Sequence, residues 1–115
     1  MSAITLFEDQ GATGFSKSIG NEHRIIDSHV VQVTFTGSPS AVSLYLQGSL
    51  DKVSWFNLAE HIATADQLSD GQLMYHVVYK PVTFIRLSLE TLSGGSNPKV
   101  TAKYSFSVKY IGDLV

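Results

Sequence analysis

The chain has 115 residues, no cysteine, a formal net charge of −2 and a sequence pI near 6.0. That length holds one domain; the missing thiols exclude a disulfide framework and a cysteine zinc site; and the charge gives no basic footprint for DNA or RNA. Charged residues are 16% of the chain, against about 25% in an average soluble domain. Ser, Thr, Gly and β-branched residues take their place, which favours sheet over helix and suggests surface covered by a partner.

The N-terminus, Met1-Ser2-Ala3-Ile4-Thr5, has no basic region ahead of an apolar core, so no signal peptide is expected. No apolar run approaches the ~20 residues of a bilayer span, and no membrane association is expected.

Residues 3–7 read as a first strand, followed by a polar, glycine-containing loop to Gly14. Phe15-Ser16-Lys17-Ser18-Ile19 reads either as a short edge strand or as an extended arm ordered by contact with something else. Residues 23–36 hold a strong strand with Val31, Val33 and Phe35 on the core side. After the turn Gly37-Ser38-Pro39-Ser40, Val42, Leu44 and Leu46 alternate with Ser43, Tyr45 and Gln47, the period-two pattern of a half-buried strand. Gly48, Ser49 and Asp51 supply turn chemistry, with Gly48 free to take positive φ, and Trp55-Phe56-Asn57-Leu58 opens the return arm of a hairpin.

A short helix is expected over residues 63–70, ended by Gly71. Residues 72–80 form a strand with apolar residues on both faces, Leu73, Tyr75, Val77 and Tyr79 against Met74 and Val78, which fits either burial on both sides or an outer face that meets a partner. Pro81 breaks it. Residues 82–92 carry Arg86 between inward Ile85, Leu87 and Leu89. After the loop Ser93-Gly94-Gly95-Ser96-Asn97-Pro98, the last strand puts Val100, Ala102, Tyr104, Phe106, Val108 and Tyr110 on one face. Seven or eight short strands with almost no helix give a single all-β domain, an antiparallel β-sandwich of jelly-roll type. Residues 1–22 form its N-terminal strand and a docking arm, and residues 23–115 its body.

The sequence offers no catalytic constellation. His23, His29, His61 and His76 have no ligand spacing and read as strand-surface or loop histidines. Asp51, Asp66 and Asp70 lack the EF-hand pattern, and Asp51 reads as a turn former. There is no Gly-x-Ser-x-Gly, and Gly94-Gly95 lies between strands rather than opening a helix. The chain is therefore expected to be no enzyme, with no metal and no cofactor. Trp55 and Phe56 must point to opposite sides of a strand; Trp55 is assigned to the core and Phe56 to the exposed side. Arg86 faces outward, to pair with Glu90 or to reach a carboxylate across an interface. The candidate partner-binding residues are Phe15, Lys17, Ile19, Phe56, Met74, His76 and Arg86.

Ser49-x-Asp51-x-x-x-Trp55 resembles the S-x-D-G-x-x-W hairpin of phage virion β-sandwich proteins, which also occurs in discoidin-type (galactose-binding-like) modules. Phe84-Ile85-Arg86-Leu87-Ser88-Leu89 matches the F-I/V-R-hydrophobic-x-hydrophobic strand that follows in those families, and Lys52 stands where they usually have glycine. The resemblance covers roughly residues 40–110. It implies a β-sandwich hairpin built on Gly48, Ser49, Asp51 and Trp55. It also implies a capsid decoration (cement) protein on the virion surface, made in the host cytoplasm, oligomeric as a dimer or trimer, with the major capsid protein lattice as partner. The other function it implies is carbohydrate binding through loops at one end, here near residues 93–98 and 64–71, or a tail or fibre accessory role.

Overall fold

The computed structural model describes residues 3–110, with the side chains of Lys109 and Tyr110 outside the description. The face expected for Tyr110, and residues 1–2 and 111–115 of the expected segments, lie outside the described residues. Nine strands and one helix follow in the order β1 Ile4–Gln10, β2 Gly14–Phe15, β3 Ile19–Gly20, β4 Arg24–Thr36, β5 Ala41–Ser49, β6 Phe56–Ile62, α1 Ala65–Asp70, β7 Gln72–Val77, β8 Phe84–Ser93 and β9 Lys99–Tyr110. They form two antiparallel sheets, β1-β9-β4-β7 and β2-β8-β5-β6, with β3 also on β8. If β2 and β3 share one strand's place, this is the interleaved order of an eight-stranded jelly roll.

The core lies between the inner faces of the two sheets. Val31, Val33, Val100, Ala102 and Tyr104 of the first sheet and Leu44, Leu46, Ile85 and Leu87 of the second are wholly buried. Alternation along each strand delivers them to one face, and each aliphatic side chain contributes roughly 1.5–3 kcal/mol by leaving water. Bulges adjust the phase. One between Ile26 and Ser28 in the β4–β9 pairing lets Ile26 and His29 both face inward. Irregularities along β1 allow its adjacent residues Leu6 and Phe7 both to be buried.

Several boundaries differ from the sequence reading. The helix starts at Ala65 rather than Ala63, because the Ala63 N–H is still donated to the Val42 carbonyl at 2.9 Å and Thr64 turns the chain. Thr64 and Gln67 form a capping box, and Gly71, with φ 75°, ends the helix. The strand expected over residues 72–80 stops at Val77. Beyond it, Tyr79 takes φ 59° and the chain loops out before Val82 exchanges two hydrogen bonds with Ile26. The segment read as an edge strand or arm is built onto β8 as two separate two-residue strands.

His29 is not on the strand surface, as the sequence suggested, but 1% exposed. The Lys80 carbonyl lies 3.0 Å from Nε2 and offers only an acceptor, so Nε2 carries the proton. Nδ1 then accepts from the Tyr104 hydroxyl.

Candidate functional site

The hairpin between β5 and β6 is tied by two side chains. Ser49 Oγ accepts from the N–H groups of Asp51 and Lys52 at 3.1 and 2.9 Å and donates to Asp51 Oδ1 at 3.0 Å. The same carboxylate oxygen accepts from the N–H groups of Val53 and Ser54, both at 2.9 Å. These bonds, from Ser54 and Val53 first and then the Ser49 hydroxyl, hold the Asp51 carboxyl below its ordinary pKa. Thr83 Oγ1 anchors the turn to the body by donating to the Ser49 carbonyl at 3.1 Å. Lys52 adopts the left-handed region, φ 64°, at the position where the resembling hairpins have glycine.

Gly48 does not take positive φ. It is a β5 strand residue opposite Phe56, and its role is space: a Cβ there would lie 2.7 Å from Val82 Cγ1 and 2.8 Å from Leu58 Cδ1. Cross-strand partners share a face, so Phe56 projects to the inner side, at the open end of the sandwich, and is 67% exposed. Phe56 is exposed, as expected, but at the end of the inner face rather than on the outer one. Trp55 is not core: it precedes β6 and is only half-buried, lying over Arg86 on the outer face. The sequence fixes that neighbouring side chains diverge, but not which of them the opposite sheet covers.

On that outer face the Arg86 guanidinium carbon lies 3.9 Å from the Phe15 ring and 4.3 Å from the Trp55 ring. The rings come from opposite flanks of β8, Phe15 from β2 and Trp55 from the β5–β6 hairpin, so the guanidinium is held between them. Arg86 Nε donates to Gln47 Oε1 at 2.8 Å, and Gln47 Nε2 donates to Asn57 Oδ1 at 2.9 Å. Partial burial lowers the Arg86 pKa. Arg86 does not pair with Glu90, whose carboxylate accepts from Ser88 Oγ at 2.8 Å; residues four apart in a strand are too widely spaced for a direct contact. Beside the clamp, Lys52 Nζ lies 5.6 Å over the Phe84 ring.

At the open end, Gly48, Leu50, Asp51, Ser54, Phe56, Leu58, Pro81 and Val82 line a largely apolar groove of about 390 Å³. Leu50 is 72% exposed and Val53 81%, and in the loop after β7 Val78 and Tyr79 are also exposed. The sequence reading did not single out Leu50 or Val53, and it placed Val78 and Tyr79 in the strand expected over residues 72–80. The signal was available in Leu50 and Val53, two apolar residues inside a tight turn.

The structure brings Phe15, Arg86 and Phe56 to one end and separates the other candidates. Lys17 is exposed on the same N-terminal segment. Ile19 packs half-buried against the core beside Ile85. Met74 and His76 are exposed on β7, a free edge of the first sheet. Among the described residues no group of three or more His, Asp or Glu side chains is placed to hold a metal ion. Comparisons with known protein families, with curated proteins and with solved structures found no match for the chain.

Proposed function

We propose that the protein is a non-enzymatic virion component of a tailed phage, a capsid decoration protein that docks on the major capsid protein lattice as a symmetric oligomer. The observation that carries this reading is the apolar end of the sandwich, where Leu50, Val53, Phe56, Val78 and Tyr79 stand exposed on a chain poor in charge. Leu50 and Phe56 line one largely apolar groove there, and an exposed apolar surface of this kind is an interaction site by default. Covering it returns about 25 cal/mol per Å² of apolar area, and weak contacts repeated over a symmetric shell act multivalently. The hairpin resemblance supports the same reading.

The test is the copy number in purified particles, by quantitative mass spectrometry. Hundreds of copies support a lattice-bound decoration protein, a handful points to the tail, and absence overturns the virion reading.

A second reading, carbohydrate binding, gains from Trp55. The loops that the resemblance nominated, residues 93–98 and 64–71, contain no aromatic residue and lie at the end of the sandwich away from the hairpin. The half-buried Trp55 on the outer face, near Gln47 and Asn57, supplies the ring and polar groups that those loops lack. A sugar that raises the melting temperature would favour this reading, because binding to the native state alone stabilises it.

A further inference from the structure

Arg86 is built as a receptor more than as a pin. A guanidinium has five N–H donors in a planar fork. Here the guanidinium carbon lies 3.9 Å from the Phe15 ring and 4.3 Å from the Trp55 ring, and Gln47 takes the Nε–H. The chain Arg86 to Gln47 to Asn57 fixes the rotation of the group. The end-on edge, the two Nη groups, is left with no carboxylate partner among the described residues. The nearby Glu90 accepts from Ser88 Oγ. Of eight Lys and Arg side chains in the chain, Lys52 lies against Phe84, two residues from Arg86 on β8.

We propose that the Phe15–Arg86–Trp55 clamp is a binding site for a carboxylate carried by an Asp or Glu side chain of a protein partner. Two parallel N–H···O bonds from one edge of Arg match a planar carboxylate. Two rings beside the guanidinium carbon crowd the space around the fork, which suits a planar carboxylate better than a tetrahedral phosphate. Holding the fork in place beforehand removes the ordering cost of a free arginine. This site deepens the docking reading above and rests on it for the identity of the partner. The apolar groove supplies area, and the clamp supplies orientation.

The experiment is an NMR titration of the full ¹⁵N-labelled chain with sodium acetate, at ionic strength held constant with chloride. The resonances followed are Arg86 Nε–H and the indole N–H of Trp55, the single tryptophan. Saturable shifts in the millimolar range are expected for acetate, absent for inorganic phosphate, and lost in both Arg86→Gln and Arg86→Lys, the second keeping charge but not the fork. Shifts that fail to saturate, that phosphate reproduces, or that persist in both variants overturn the proposal. Parallel titration with glucuronate tests the source: affinity equal to acetate supports a protein side chain, whereas tenfold tighter binding overturns it in favour of an acidic sugar. Particle copy number reports on the virion reading separately, so either can fail without the other.

Discussion

Trp55 and Phe56 are adjacent in the chain and serve opposite sides of the second sheet: Trp55 lies on Arg86, and Phe56 overhangs the apolar groove. The two residues are therefore separable by mutation. Trp55→Ala removes a partly desolvated stacking contact and is expected to cost about 1–2 kcal/mol, read as a lower urea midpoint. Phe56→Ser, at an exposed site, is expected to stay within about 0.5 kcal/mol of wild type and, under the proposed docking role, to reduce binding to particles. Equal loss of stability in both variants would sink the assignment of sides.

Gly48→Ala tests the close approach at the base of the hairpin. The added methyl meets Val82 and Leu58 below 3.0 Å, and Val82, held by two backbone bonds to Ile26, has little room to retreat. Overpacking of this kind costs about 1–3 kcal/mol, despite the better strand propensity of alanine. Denaturant unfolding with an unchanged slope would check it, and a neutral result would show that Leu58 yields freely.

Lys52→Gly is expected to stabilise the protein. Lysine at φ 64° carries a left-handed penalty of roughly 1–2 kcal/mol, which glycine removes at some cost in chain entropy. The net gain should appear as a melting temperature a few degrees higher. A lower temperature would mean that the Lys52–Phe84 contact outweighs the backbone strain.

His29 makes stability depend on pH in the mildly acidic range. Burial lowers its pKa from the ordinary 6.5, and the Lys80 carbonyl and then Asp27 oppose the shift only in part. The unfolded chain thus takes up the proton at higher pH than the folded one. The contribution of His29 is complete above about pH 6.5 and is lost as pH falls toward the folded value. Tyr104, which donates to Nδ1, would also lose its acceptor on protonation. Melting curves from pH 8 to pH 4 should show falling stability below about pH 6.5 in the wild type and a flatter profile in His29→Gln. Identical profiles would refute the assignment.

Much of this architecture was legible because alternation is a local signal. Val42, Leu44 and Leu46, and Ile85, Leu87 and Leu89, announce their inward faces within a few residues, and Gly71 announces where the helix ends. What stayed hidden depends on partners far away in sequence. Trp55 has the composition of a core residue, and only the arrival of Arg86 from β8 and Phe15 from β2 gives it a place outside. His29 looked like a surface histidine because nothing near it in the chain reveals Tyr104 or the Lys80 carbonyl. Asp51 was readable as a turn former because its hydrogen-bond partners, Ser49, Val53 and Ser54, are its neighbours.

The pairing of β1 with β9 has a consequence for the time course of synthesis. Asp9 N–H donates to Thr101 Oγ1 across 92 positions, and Leu6 and Phe7 belong to the core that closes once β1 has joined that sheet. At roughly 5–20 residues per second, the first strand is made seconds before its neighbour exists. Until then the nascent chain carries two large apolar side chains with nowhere native to go. The β5–β6 hairpin can close early, but the first sheet needs β9, whose pairing with β4 and β1 joins the opposite ends of the fold. Assembly of the first sheet therefore waits for β9, and it should be slow, in the milliseconds-to-seconds range of sandwiches rich in long-range contacts.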